Sequence, residues 1–369
     1  MKIAFLGDVY IDGEYIKCEE NLLAGLGEVL KSADFIIANL EAPITSSEEK
    51  MSKIGPNLKM SELPNEVLDM IDAFSLANNH IMDYSEAGLN DTIAYLKSKG
   101  KLFFGAGNCL ENAYKEVVFE HDGSEVAVIG MAENEFSLTF GEHPGVAPLD
   151  PIYSYKYISE AVKRYENVYL FIHGGNEFSS LPSPRYKRLC QMYIDMGVAS
   201  VISSHTHTIG PIENYKGKPI FYSLGNCLFN NKKPPKGWGR GLIALLEVSK
   251  DSIVYDHFPF KQSVANSGAS LLTSNEKDIF ELSFTSLCND VLNPEKYSNM
   301  WIDYIDKNAR LYLFRLSTPF IFKGAYRILS LLKLDKIFYS LNTRLLKLNY
   351  ISCESHREVV ISSLSKEKK

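Results

Sequence analysis

The chain has 369 residues, of which 45% are hydrophobic and 23% charged, and its formal net charge is −6. This composition is that of an ordinary globular protein, and the acidic balance argues against nucleic acid as the main partner. Its six cysteines are scattered without a CxxC motif, which favours buried thiols in a reducing compartment. Met1 leads directly into a strand pattern and no apolar stretch is long enough to span a bilayer, so we expect a cytoplasmic protein.

Short β-branched or aromatic runs alternate with helical patterns from residue 1 to about residue 262. The predicted strands are Ile3–Leu6, Phe35–Ala38, Phe74–Ala77, Val126–Met131, Val168–Ile172, Val198–Ile202, Pro219–Ser223, Leu242–Val248 and Ser252–Phe258. The predicted helices are Asn21–Ser32, Pro64–Ile71, Ser85–Lys99, Ile152–Tyr165 and Ser183–Met196. Early strands separated by helices predict parallel pairing, whereas the last three predict an antiparallel end or a second sheet. We therefore expect a two-sheet sandwich flanked by helices.

The character of the chain changes after about residue 263, where the pattern becomes mostly helical. The stretch Trp301–Tyr350 contains nine cationic residues and only three acidic ones, and it is rich in Leu, Ile, Phe and Tyr. We expect helices packed on the preceding domain with solvated cations. The alternatives are peripheral contact of residues 301–350 with an anionic membrane surface, or help in binding an anionic substrate. The chain thus divides into a domain over 1–262 and a basic helical extension over 263–369.

Polar side chains that can bind metal follow five of the apolar runs. They are Asp8, Glu41, Asn79 with the adjacent His80, His173, and His205 with His207. Singly, each has an ordinary explanation, such as a turn, a helix cap or a solvated loop carboxylate. Because open α/β sheets gather their chemistry at the carboxyl ends of strands, we expect these residues to share one cleft.

The chemistry of this set points to a transition metal. The six side chains other than His80 offer two carboxylates, one amide oxygen and three imidazoles, which is too rich in nitrogen for calcium, and the thiolates of a structural zinc site are missing. The set suits one or two divalent ions, Mn²⁺, Fe²⁺ or Zn²⁺, and a bridging carboxylate could hold two of them about 3.5–4 Å apart. Such ions acidify a bridging water and stabilise charge on a phosphoryl or carbonyl oxygen under attack.

Six motifs in a fixed order carry a family resemblance. They are Gly-Asp, Asn-Leu-Glu, Ala-Asn-Asn-His, His-Gly-Gly-Asn-Glu, Ser-His-Thr-His and Tyr-Ser-Leu-Gly-Asn, all between residues 1 and 262. This order resembles the CapA family, which is named for capsular poly-γ-glutamate synthesis and belongs to the calcineurin-like metallophosphatase superfamily. The resemblance implies a four-layer αββα sandwich with a bimetal cleft, and the C-terminal helical extension lies outside it.

The resemblance also implies a role for each motif residue. One metal would be held by Asp8, Glu41 and His207, and the other by Glu41 as a bridge with Asn79, His173 and His205. His80 matches the superfamily's acid/base histidine, which is not a ligand, and Asp83 is placed to orient it. Tyr10 stands where the superfamily's phosphatases usually have a histidine, so the first site is one imidazole short. Tyr10, Glu177 and Asn226 are candidates for a metal or substrate contact, and Tyr10 could equally be packing.

The function expected from these residues is that of a metal-dependent hydrolase in capsule or surface-polymer biosynthesis. A metal-bound hydroxide would attack a phosphoester while His80 protonates the leaving oxygen. The same chemistry would serve an amide or acyl hydrolase or transferase that acts on polyglutamate or an amide-decorated polysaccharide. A third alternative is a non-catalytic assembly factor, although the His80–Asp83 pair argues against a mere binder. We expect an anionic small-molecule or polymer substrate; the oligomeric state is open.

Overall fold

A computed structural model describes residues 1–11, 21–53, 55–229, 231, 234–248, 253–262 and 268–317, with 328, 331, 332, 345, 347, 348 and 351. The chain divides into two compact units, Met1–Tyr297 and Ser298–Lys369. Most of the basic stretch expected over 301–350 lies outside the described residues, as do Cys18 and Cys353. None of the described helices combines the length and the apolar character that a membrane span requires.

The strands and helices follow the alternation expected from the sequence. The strands are β1 (Lys2–Tyr10), β2 (Phe35–Leu40), β3 (Ala73–Ser75), β4 (Leu102–Phe104), β5 (Ala106–Gly107), β6 (Val117–His121), β7 (Ser124–Ala132), β8 (Gly145–Val146), β9 (Val168–His173), β10 (Ser200–Ser204), β11 (Ile212–Tyr215), β12 (Lys218–Phe221), β13 (Asn226–Phe229), β14 (Arg240–Val248), β15 (Ile253–Gln262) and β16 (Ala269–Leu271). The helices are α1 (Gly27–Leu30), α2 (Asn65–Met70), α3 (Ser85–Ser98), α4 (Leu110–Ala113), α5 (Pro151–Arg164), α6 (Pro184–Asp195), α7 (Ser274–Leu292) and α8 (Pro294–Ser317).

One predicted helix is much shorter than expected. The pattern over residues 21–32 yields only α1, because the chain before it lies against strand β16. A Cβ atom at Gly25 would come within 2.6 Å of the carbonyl oxygen of Ala269. The backbone therefore approaches too closely there for a regular helix that carries side chains.

The strands form two large sheets. The first has the order β16-β15-β14-β1-β2-β3-β4, with β13 also paired to β1, and the second has the order β11-β12-β10-β9-β7-β6. Strands β1 to β4 pair in parallel, and β14, β15 and β16 complete that sheet in antiparallel fashion. The expected antiparallel end is thus confirmed for the last two predicted strands, while the one before them, β12, belongs to the second sheet.

Three hydrophobic clusters separate four layers. Along β1, Ala4 and Leu6 pack towards helices α1–α3, whereas Ile3 and Phe5 point into the cluster between the two sheets. The ring of Phe5 meets that of Phe171 from the second sheet edge to face, at 5.6 Å between centroids. A third cluster lies between the second sheet and helices α5 and α6. The expected αββα sandwich is therefore confirmed, and its core follows the alternation of side chains along each strand.

Helix α7 packs within the first unit, although the sequence groups it with the extension. Its Phe280 and Phe284 are 9% and 5% exposed and join the cluster between the sheets. The helix begins with a capping box in which Thr273 and Glu276 satisfy each other's backbone groups. A domain that ends at residue 262 stays a prediction from the change in sequence pattern, whereas the compact unit of the structure continues to Tyr297.

Candidate metal centre

The candidate residues meet where neighbouring strands of both sheets end. In the first sheet, β1 and β2 run in parallel, and Asp8 lies beside Asn39 in the register. In the second sheet, His173 ends β9 beside Ser204, the last residue of β10. The backbone N–H of His205 donates to Asp8 Oδ2 at 3.2 Å, which joins the ends of the two sheets.

Four metal-binding atoms converge on one point. His173 Nε2 lies 2.9 Å from His205 Nδ1, 3.0 Å from Asn79 Oδ1 and 3.4 Å from Glu41 Oε1. Ligand atoms of Glu41, His173 and His205 all lie within 4.8 Å of one another. The structure therefore brings together the four residues assigned from the resemblance to the second metal.

The buried carboxylate of Glu41 shows that these residues fit a cation. Glu41 Oε1 is buried and has no hydrogen-bond partner in the described part of the chain, a costly state for a carboxylate. Burial, and then the charge of Asp8, raise the pKa of Glu41 well above its usual value. Burial lowers the pKa of His173 to about 4 and that of His205 well below normal, so both imidazoles are neutral and keep a lone pair. Such oxygen and nitrogen donors suit a divalent transition ion.

The residues assigned to the first metal are also close together, but two of them, Asp8 and His207, form an ion pair. His207 Nδ1 lies 2.9 Å from Asn226 Oδ1 and 3.4 Å from Asp8 Oδ2. Burial opposes protonation of His207, yet Asp8 and Glu41 raise its pKa to about 9. The pKa of Asp8 is lowered, because the hydrogen bond with His207 and the nearby imidazoles outweigh its burial. Asp8 and His207 thus satisfy each other without a cation, unlike Glu41 Oε1.

Asn39 links the two groups and was missed by the sequence reasoning. Its Nδ2 lies 2.8 Å from Asp8 Oδ1 and 3.3 Å from His173 Nδ1, and it also forms a short hydrogen bond with Glu41 Oε2. Its Oδ1 accepts a hydrogen bond from Asn78 at 3.1 Å. Asn39 and Glu41 are two positions apart at the end of one strand and so share a face, which is the signal that could have identified Asn39.

Glu135 is a second residue that the sequence did not single out. Asn79 donates its amide N–H to Glu135 Oε2 at 2.5 Å, which leaves Asn79 Oδ1 facing His173. Ser204 Oγ lies 3.2 Å from His173 Nδ1, so the other nitrogen of that ring, Nε2, points towards the cluster. Groups of this kind orient metal ligands. Glu135 lies in the loop beyond β7, where no periodic pattern marks it.

His80 and Asp83 form the expected pair at the edge of the cluster. His80 Nδ1 lies 2.7 Å from Asp83 Oδ2. Lys53, which the sequence did not single out, lies 3.1 Å from the same nitrogen and pairs with Asp83 Oδ1. The Lys53 side chain is only 1% exposed and lies over the ring of Phe136. The acid/base candidate is thus held between one carboxylate and one buried cation.

The backbone around the histidines adopts unusual conformations. His205 has a φ of 101°, His207 a φ of 56° and Phe178 a φ of 60°, all in the region that L-residues rarely occupy. Such conformations cost free energy and cluster at functional sites. Gly7 is needed for a different reason, because a Cβ there would lie 1.8 Å from the carbonyl oxygen of Gly225. The fold therefore accepts local strain to place these side chains.

The three further candidates lie in different surroundings. Asn226 holds His207 and donates its own amide N–H to the carbonyl of Trp238 at 3.1 Å. The ring of Tyr10 lies 5.0 Å from that of Phe229, which in turn packs against His207. Glu177 is exposed, and its charge only partly opposes the lowering of the His173 pKa by burial. Metal or substrate contacts of Tyr10 and Glu177 stay predictions.

The fold and the candidate site define a four-layer αββα sandwich protein with carboxylates, an amide and histidines at its strand ends. Within that class, the chain belongs to the family of bacterial capsule synthesis proteins PGA_cap, whose sequence profile matches residues 2–231. The resemblance to CapA proteins is therefore confirmed.

Individual relatives are similar over part of their length. The chain is 29% identical to the PGA biosynthesis protein CapA of Bacillus subtilis (strain 168) over 252 residues, 65% of each chain. It is 30% identical to the capsule biosynthesis protein CapA of Bacillus anthracis over 223 residues, 57% of this chain and 53% of that one. The chain thus spans less than two thirds of these relatives. A phosphatase structure from Mycoplasma pneumoniae is 15% identical, with a TM-score of 0.46, over 77% of this chain and 98% of that one.

Proposed function

We propose that this protein is a metal-dependent phosphoester hydrolase that acts in the synthesis of a capsule or another surface polymer. The observation that carries the proposal is Glu41 Oε1, a buried oxygen without a hydrogen-bond partner among the described residues, next to the donor atoms of Asn79, His173 and His205. The acid/base candidate His80 follows Asn79 directly in the chain. The capsule context comes from the family and from the names of the relatives.

The residues of this chain divide into ligands and supports. Glu41, Asn79, His173 and His205 would hold one divalent ion, and Asp8 and His207, with Glu41, a second. Such an ion supplies Lewis-acid stabilisation of charge on a phosphoryl oxygen and acidifies water. Asn39 holds the two carboxylates in place. Because Asp8 and His207 already neutralise each other, we expect the ion that they hold with Glu41 to bind more weakly than the other.

His80 is the residue that handles a proton in this proposal. His80 Nδ1 lies within hydrogen-bonding distance of both Asp83 and Lys53. Nε2 is therefore the nitrogen that can carry a proton towards the substrate. Hydrolysis forms a phosphorus–oxygen bond to water and breaks the bond to the leaving oxygen, which takes the proton from His80 Nε2. Asp83 acts through His80 by orienting its ring.

Attack on an amide or acyl carbonyl is the second candidate, because the B. subtilis relative is named for PGA biosynthesis. The same ligands and the same proton donor would serve it, since a carbonyl oxygen also gains charge under attack. A non-catalytic assembly factor would keep the ligands without needing an oriented proton donor, so the His80–Asp83 contact favours an enzyme. The cytoplasmic location, peripheral at the membrane or not, stays a prediction.

A substrate screen with matched variants tests the proposal. Purified protein supplied with Mn²⁺ is assayed on p-nitrophenyl phosphate, bis-p-nitrophenyl phosphate and γ-glutamyl-p-nitroanilide. We expect phosphoester turnover that His205→Ala abolishes and that His143→Ala, a change of an exposed histidine outside the cluster, leaves intact. Turnover of the anilide alone would favour the amide reaction. Equal rates for wild type and His205→Ala on every substrate would contradict a metal-dependent hydrolase.

A further inference from the structure

A cavity of about 400 Å³ lies beside the metal centre and is not used by the proposed mechanism. It is bounded by the loop after β9, the segment before β14 and one face of α7. The lining residues that matter here are Phe178, Thr208, Lys236, Arg240, Phe280 and Phe284. Its volume is typical of sites for small ligands, which span about 300–1,000 Å³.

The cavity and the metal centre share a wall of aromatic rings. The ring of Phe178 lies 5.9 Å from that of His207 and 6.2 Å from that of Trp238, between centroids. Trp238 packs on His207 at 4.4 Å, and Thr208 follows His207 in the chain. Phe178 is 50% exposed and has a positive φ, so its apolar side chain is held at the opening of the cavity at a cost in backbone free energy. A small molecule bound in the cavity would therefore lie next to His207, a candidate metal ligand.

The two cations of the cavity have no partner within the described residues. Neither Lys236 nor Arg240 forms a side-chain hydrogen bond or an ion pair there, and no acidic residue is among those that line the cavity. The rest of the lining is mainly aromatic and aliphatic, with three hydroxyl groups from Ser180, Thr208 and Ser283.

We propose that this cavity binds an anionic amphiphile, a hydrocarbon chain that carries a phosphate or a carboxylate. The chain packs on Phe280 and Phe284, where burial of apolar surface is favourable, and the anion is held by Lys236 and Arg240. A sugar or a neutral peptide would need more hydrogen-bonding groups than this lining offers. Because α7 lies beyond residue 231, where the family profile ends, this site is built partly from sequence outside the matched region.

The inference rests on the proposed function in one respect, namely that the amphiphile is part of the substrate whose reacting group lies at the metal centre. Binding itself needs no reaction. It is measured by the fluorescence of Trp238 in a Trp301→Phe background, since these are the two tryptophans of the chain. The probes are decyl phosphonate and decanoate below their critical micelle concentrations, with methyl phosphonate and decyl maltoside as controls without the chain and without the charge.

We expect saturable binding of at least one decyl anion. Lys236→Gln or Arg240→Gln should raise its Kd about tenfold, because each change removes one charge-assisted contact. The two anions then separate a phosphate from a carboxylate ligand. Ser283→Phe, which fills the cavity from α7, should abolish binding, whereas Lys277→Gln on the same helix should not. Decyl maltoside binding as tightly as the anions, or no effect of any of the three cavity variants, would overturn the inference.

Failure here differs from failure of the proposed function. If a decyl anion binds as described but no phosphoester is hydrolysed, the cavity assignment stands and the hydrolase proposal fails. If p-nitrophenyl phosphate is hydrolysed and neither decyl anion binds, the cavity assignment fails alone.

Discussion

His173 Nε2 lies 2.9 Å from His205 Nδ1, with the two imidazole rings tilted by 59° to each other. The residues end neighbouring parallel strands of the second sheet, and burial lowers the pKa of both rings. A shared metal ion would accept the lone pairs of these two neutral imidazoles together with Glu41 Oε1, which has no hydrogen-bond partner among the described residues. This relationship is the basis of the metal assignment.

The first prediction concerns the proton donor. His80→Asn should slow the chemical step by about 10²–10⁴-fold, the usual cost of losing a general acid, while metal content stays unchanged. Asp83→Asn should cost less, because it removes only the group that orients the imidazole. Single-turnover rates and metal analysis of the same samples check both. Loss of metal together with activity in His80→Asn would mean that His80 is a ligand.

The second prediction concerns Asn39. Its amide donates to Asp8 and Glu41, so Asn39→Ala would leave two buried carboxylates without that donor. The free energy of unfolding should fall by about 1–3 kcal/mol, the cost of unsatisfied buried groups, and metal affinity should fall with it. Urea titration and metal binding measure these changes. Asn90→Ala, at an exposed position of α3, is the matched control, and equal effects of the two would refute the role of Asn39.

The third prediction concerns the two metal sites. Titration of metal-free protein with Mn²⁺ should show one tighter and one weaker event, or a single event, because Tyr10 stands where the resemblance leads us to expect an imidazole. Tyr10→His should strengthen the weaker event. Isothermal titration calorimetry of both proteins decides the matter. Two equally tight sites in the wild type would show that another side chain, such as Glu177, completes the first site.

The fourth prediction concerns the C-terminal region. A chain ending at Gln262 should be poorly soluble, because it lacks Phe280 and Phe284 and uncovers part of the cluster between the sheets. A chain ending at Ser298 keeps the first compact unit and should stay soluble and folded. Soluble yield and circular dichroism compare the two. If the shorter chain behaves as well as the longer one, α7 is dispensable.

Contact of residues 301–350 with a membrane stays a prediction with its own test. The full chain and the chain ending at Ser298 should be sedimented with anionic and with neutral liposomes. Pelleting of the full chain alone, with anionic liposomes alone, would support the surface contact. Equal behaviour of both chains would contradict it.

The sandwich and the grouping of most candidate ligands could be predicted because both depend on local pattern. Apolar runs followed by Asp8, Glu41, His173 and His205 indicate strand ends, and the carboxyl ends of parallel strands come together. Lys53 and Glu135 could not be found in this way, because both lie in loops whose path depends on tertiary packing.

The contact between His207 and Asn226 also could not be predicted from the sequence. A histidine after an apolar run predicts a ligand, but its partner Asn226 comes from β13, which pairs with β1 only once the chain has folded. Similarly, the pattern after residue 263 indicates helices but not that α7 completes the first unit, since an amphipathic period does not identify the surface it covers.

The metal content of the purified protein is the most direct test of the central claim. After expression with added Mn²⁺, elemental analysis of the wild type and of His143→Ala should give about one to two equivalents of a transition metal, as expected for a one- or two-ion centre. The double variant His205→Ala, His207→Ala should lose it while keeping its fold by circular dichroism. A wild-type protein that holds no stoichiometric transition metal, and takes up none on titration, would contradict the account.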